Sequence, residues 1–347
     1  MGNSFACWSV SSAPTTTTTA GSGRILREEP VSLHEQLYQW TARQGLDATR
    51  ARRLRALSGV DDPPAEVWPA LRRGTGALAA GLIGFGVILW VAANWDELGR
   101  GLRFGLLEAL LAVSAIGAAA RPAWRAPLSL LALLTLGGLL AYFGQTYQTG
   151  ADPWQLFALW AALALPLVWA ARSDLAWAPW TVVAATGISL WMHTFGGHAW
   201  HFTATTVPVH AIGFVAFGLL CVGMALRPGG DAQPWSWRVA VLLAVIAISG
   251  TALGGLFSRD VAPQYPLGLG VMAVGLVLAW RRAEVYALSA LALAVDTLLV
   301  AGLARVVIEQ WKVDIGGLLL LGLAACGLLA ASVSLIMRRV CASGVHA

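Results

Sequence analysis

From Gly74 onward the chain alternates between long apolar runs and short polar breaks. Each run approaches the roughly 20 residues that an α-helix needs to cross a hydrocarbon layer of about 30 Å. The breaks predict ten spans, at 74–94, 102–120, 127–144, 156–172, 175–195, 207–226, 238–257, 263–280, 284–303 and 315–336. Before the first run the pattern is different. Leu33, Leu37 and Trp40 recur at helical spacing behind a Ser32–Glu35 capping box, and Gly45 suits a helix C-cap. Asp47 opens a second helix carrying Ala51, Leu54 and Leu57, which Ser58-Gly59 and then Asp61 to Pro64 bring to an end. Two helices this short cannot bury a core of their own. The expected layout is a disordered tail over 1–23, a cytosolic helical module over 24–73, a transmembrane domain over 74–337 and a cytosolic tail over 338–347. The Ser/Thr/Gly-rich tail lacks the apolar core of a signal peptide.

Composition turns this pattern into a class. Of 347 residues, 57% are hydrophobic and 12% charged, about half the charged share of a soluble domain. Such a chain cannot cover its apolar surface in water. The predicted fold is all-α, a polytopic transmembrane helix bundle with a small N-terminal helical hairpin, and its first partner is the lipid bilayer.

The net charge of +5 changes the picture only through where the charges fall. Placing the N-terminus in the cytoplasm puts Arg121, Arg125, Arg172, Arg227, Arg238, Arg281, Arg282, Arg338 and Arg339 inside, with every basic residue before the first span. Only Arg100, Arg103, Arg259, Arg305 and Lys312 remain outside. That asymmetry is the positive-inside pattern, with both termini cytoplasmic. The bases are dealt out singly between apolar runs, so they form no phosphate-binding stripe, and no nucleic-acid partner is expected. Trp90, Trp124, Trp169, Trp177, Trp235 and Trp280 fall near span ends, where indoles form aromatic belts; Trp160, inside the fourth span, is the exception. Ala77 with Gly81, Ala80 with Gly84, Gly137-Gly138, Gly268, Gly270 and Gly275 offer surfaces for close helix packing.

Polar groups inside apolar runs mark the candidate site. A carboxylate at mid-membrane costs roughly 2.5–3.5 kcal/mol, so it needs a partner, a proton or water. Two stand out, Glu108 in the second predicted span and Asp296 in the ninth. At 1.5 Å per residue each lies about 9–10 Å below the outer edge. The second outer loop, "YFGQTYQTGADPW", would roof them with Tyr142, Gln145, Tyr147, Asp152 and Trp154. The functional expectation is a protonatable or cation-binding site; the plainer one is two protonated acids acting as helix glue. His193, His198, His201 and His210 gather near a later outer loop, but their spacing matches no ligand motif. The four cysteines, Cys7, Cys221, Cys326 and Cys341, form no CxxC pair. No metal site, catalytic constellation or cofactor fingerprint is read from the chain.

The segments "LHEQLYQWTARQGLDATRARRLRAL", "AANWDELGR" and "GQTYQTGADPWQLF" resemble the bacterial predicted membrane proteins grouped as domain of unknown function 2157. The likeness spans about Leu33 to Trp180 and implies a bacterial inner-membrane location, with no activity or site residue attached. Two functions are therefore expected in order. The first is a non-enzymatic scaffold or assembly partner, docking a membrane protein through residues 32–58. The second is a transporter or small-solute binder using Glu108 and Asp296.

Overall fold

The computed structural model describes residues 33–58, 67–94, 99–147, 150–196, 202–227, 235–282, 284–311 and 315–343. The expected tail over 1–23, the Ser32 capping box, His198, His201 and Lys312 lie outside the described residues. The chain falls into two units, residues 1–74 and 75–347.

In the first unit, α1 (Leu33–Arg43) and α2 (Ala48–Leu57) are joined by a tight turn. Gly45 ends α1 with φ +55, a left-handed conformation that costs glycine little. The Asp47 side chain caps α2, accepting the Ala48 N–H at 2.7 Å. Both features match the sequence expectation.

Ten longer helices follow: α3 (Val67–Ala93), α4 (Arg100–Ala120), α5 (Arg125–Tyr147), α6 (Pro153–Ala171), α7 (Asp174–Phe195), α8 (Val207–Ala225), α9 (Trp235–Leu256), α10 (Gln264–Arg282), α11 (Val285–Trp311) and α12 (Ile315–Ser343). The unit boundary falls within α3. Among the described residues, eight of these helices are long and apolar enough to cross a membrane. Of the two helices outside that set, α3 and α10, only α10 has an apolar centre shortened by its ends. In α3 the apolar run that opens at Gly74 continues past Val87 to Ala93, over the limits expected for the first span. In α10, Gln264-Tyr265-Pro266 at one end and Trp280-Arg281-Arg282 at the other shorten the apolar centre.

Within the second unit, α4 packs on α5, and α5 on α6 and α7. The hub is α9, which touches α7, α8, α10 and α11. Its buried face is mostly small (Ser236, Ala240, Ala244, Ala252 and Gly255), so its neighbours approach closely. On α10, Gly268 lies against Ala252, where a Cβ would come within 2.7 Å of the alanine methyl. The misplaced-looking Trp160 also finds its reason. Its indole lies over Gly137, where any Cβ would overlap the ring, and its N–H donates to the Leu133 carbonyl at 2.9 Å. Trp180 bridges α7 to α6 in the same way, donating to the Ala161 carbonyl at 2.8 Å.

Other expectations are corrected. Gly84 meets Leu131 and Leu134, whereas Gly81 and Gly270 face open space. Trp177 is not a belt residue. It is 3% exposed and packs edge-on against Trp180 and Trp169, under the Arg227 guanidinium at 5.5 Å.

That guanidinium belongs to a polar clamp where α7 begins, α8 ends and α9 begins. Asp174 pairs with Arg227 at 2.5 Å and accepts from the Ser236 hydroxyl at 2.9 Å and the Trp235 N–H at 2.6 Å. Arg227 also donates to Ser236 at 3.1 Å. Its side chain is 7% exposed, so the charge is buried and paired. Near the other end, Arg305 of α11 ties down the α9–α10 turn through the carbonyls of Ser258 and Arg259 at 2.8 and 2.9 Å. It pairs as well with Glu309 at 2.7 Å.

Candidate functional site

The residues singled out from the sequence are placed on different helix neighbours. Glu108 is exposed on α4, beside the buried stripe of Arg103, Leu107, Ser114 and Ala118 that faces α5. Tyr142 is buried; its hydroxyl donates to the Arg100 carbonyl at 3.4 Å, and its ring centroid lies 4.5 Å from that of Phe104. Tyr147 is exposed and stacks on Phe143 at 4.7 Å and Phe104 at 6.1 Å. Phe104 sits one helical turn before Glu108, so Tyr142, Tyr147 and Glu108 share the α4–α5 edge. Gln145 is exposed on α5. Asp152 is exposed and precedes α6 without a side-chain cap bond. Trp154 is half-buried, with its ring 6.1 Å from Phe195 of α7.

Asp296 stands elsewhere. It is 9% exposed on α11, which packs on α9, α10 and α12. One carboxylate oxygen accepts from the Ser332 hydroxyl of α12 at 3.1 Å, and the other has no hydrogen-bond partner among the described residues. Glu108 and Asp296 thus lie on helices with different packing partners.

A cavity of about 330 Å³ lies instead where α7, α8 and α9 come together, and sequence reading did not find it. Its wall is built from the chain as follows. At the end of α7, Gly196 caps the helix by donating its N–H to the Met192 carbonyl at 2.7 Å. A Cβ there would meet the His210 ring at 3.3 Å. Residues Ala204–Thr206 make one turn of 3-10 helix before Pro208 starts α8. His210, on the first turn of α8, is 5% exposed, and its Nδ1 lies 2.8 Å from the Thr206 carbonyl. A carbonyl only accepts, so Nδ1 carries the hydrogen and the neutral ring presents Nε2 as an acceptor.

Phe202 stacks on the same ring at 5.6 Å and seats its own ring on Gly254 of α9, where a Cβ would collide with it. Gln264 of α10 holds the connecting turn. This wholly buried amide donates to the Thr203 carbonyl at 2.7 Å and the Thr206 hydroxyl at 2.9 Å. On the α9 side, Thr251 spends its hydroxyl hydrogen on the Ala247 carbonyl at 2.9 Å. The lining is mainly apolar, with Ser189, His193, His210 and Thr251 as its polar points.

Chemically this is a place to hold a solute. Among the described residues no carboxylate or cysteine lines the cavity, and no group of three or more His, Cys, Asp or Glu stands ready to hold a metal. The apolar walls and few convergent polar atoms are those of a small-molecule pocket, and the volume falls at the lower end of the usual range of about 300–1,000 Å³. Weak sequence signals existed in His210, Gly254 and Gln264, but each sits alone in an apolar run.

The molecule is thus a polytopic helical membrane protein. Residues 38–177 match the model of a family of predicted membrane proteins, DUF2157, and the resemblance read from the sequence holds over that segment. The match runs from the middle of α1 to the first turn of α7 and stops short of α8 and α9. No curated protein and no solved structure matches the chain.

Proposed function

We propose that this is a multi-pass bacterial inner-membrane protein, with both termini cytoplasmic, that binds a small, largely apolar solute carrying a hydrogen-bond donor. The α7–α9 cavity is the observation behind the reading: its walls suit an apolar body, and His210 Nε2 suits the donor. The positive-inside distribution supports the orientation, which puts the C-terminal end of α7, and the cavity with it, toward the periplasm. A thermal-shift screen of the purified protein against small apolar alcohols, amides and amines tests the reading. A ligand should raise the melting temperature of the wild type, and should raise it far less in His210→Ala or in the cavity-filling Ala247→Phe. Equal shifts in all three proteins, or no responding compound, would overturn it.

A non-enzymatic scaffold is a second reading, supported by the first unit. There Tyr38, Trp40 and Leu57 are 75%, 64% and 80% exposed beside the basic run of α2. A membrane protein should then co-purify through detergent and be lost on Tyr38→Ser/Trp40→Ser. Co-purification undiminished by that change would remove the role of α1.

A further inference from the structure

A hollow of about 320 Å³ runs along one face of α10, lined by Ala273, Val274, Val277, Leu278 and Arg281. These positions lie on one face of the helix, so the shallow trough follows the helix axis for about 12 Å at 1.5 Å per residue. Its lining is apolar until Arg281 closes it in the last turn of the helix. Arg282 follows, and both side chains are exposed. At the same corner α12 brings Arg339, whose guanidinium stands 5.7 Å over the Trp280 ring, preceded by the exposed Arg338. Arg339 Nε is buried and has no hydrogen-bond partner among the described residues. Among the described residues no carboxylate forms an ion pair with any of these four arginines. The nearest acid in sequence, Glu284, uses its carboxylate to cap α11 through the Ala287 N–H at 3.3 Å.

We infer that this corner binds an anionic phospholipid, with an acyl chain along the α10 trough and the phosphate at its Arg281–Arg339 end. The inference is independent of the α7–α9 cavity. Arginines at a helix C-terminus suit the helix dipole and the positive-inside pattern, but neither role calls for an apolar trough ending on a guanidinium. A free anion would leave the trough unused. A zwitterionic lipid would bring its own cation to a cluster that lacks only a negative charge. Guanidinium forks match phosphate oxygens in pairs, and Trp280 supplies the indole that settles at headgroup level.

The test uses the full-length protein in detergent, with retained lipid read by native mass spectrometry. Phosphatidylglycerol should be retained on the order of tenfold more than phosphatidylcholine of the same chain length. Arg281→Gln/Arg339→Gln should bring the two close to parity. Val277→Trp, which fills the trough and leaves every charge in place, should weaken retention of phosphatidylglycerol. Glycerol phosphate, which has the anion and no chain, should fail to compete. Equal retention of the two lipids by the wild type, or a preference unchanged in the arginine variant, would overturn the inference. Should the arginine variant fail to fold, Val277→Trp decides: undiminished phosphatidylglycerol retention rejects the trough. Competition by glycerol phosphate rejects it equally.

Discussion

The same three helices, α7, α8 and α9, end in opposite ways. Where α7 begins, the Asp174, Arg227 and Ser236 side chains bond to one another, and the Trp177 ring covers the guanidinium. Where α7 ends, the chain turns through Gly196 and Phe202 and leaves a cavity with an imidazole acceptor on its wall. The contrast separates two uses of a polar group in an apolar medium. A group whose valences are all met locks helices together, and one left with a lone pair can receive a guest.

The comparison breaks most readily at the clamp. Asp174→Ala strands the Arg227 charge in a site that is 7% exposed, and breaking a buried pair in this way costs roughly 3 kcal/mol. Thermal unfolding in detergent should show a large drop in melting temperature; an unchanged melting curve would mean that the clamp holds nothing. Gly137→Leu drives a side chain into the Trp160 ring and should cost about 1–3 kcal/mol through overpacking. Retained stability would show that the indole has another place to go. Removing the Ser332–Asp296 bond with Asp296→Ala, Ser332→Ala or both should give a coupling of about 0.6 kcal/mol in a double-mutant cycle, the usual worth of an interhelical hydrogen bond in a membrane protein. A much larger coupling would mark Asp296 as more than glue. His210→Ala removes the Thr206 bond and the ring contact with Phe202, and its decisive readout is the ligand response. If the cavity serves a guest, that variant loses ligand response.

Helix existence was legible because the signal is local. Runs of apolar residues ended by Arg, Pro or Gly predicted ten helices, and ten long helices appear close to those limits. Azimuth was not. Which side of a helix meets which neighbour depends on interhelical packing, and an apolar run with no polar face gives no period to read it from. The pairing of Asp296 with Ser332 on α12, and the exposure of Glu108 on α4, therefore could not be seen. The cavity was hidden for the same reason. His210, Phe202, Gly254 and Gln264 come from three helices and a turn, and each alone reads as an ordinary interruption. Trp177 shows the opposite error, a residue with belt-like position whose ring the fold turned inward over Arg227.

The hub helix α9 has Ser236 of the clamp near its first residue and Thr251 of the cavity wall fifteen residues later, a separation of about 22 Å along one rod. A hydrogen-bonded helix has almost no slack along its axis. Clamp and cavity wall therefore share one rod, and Ser236, bonded to the Asp174 carboxylate, stands on the same helix as Thr251.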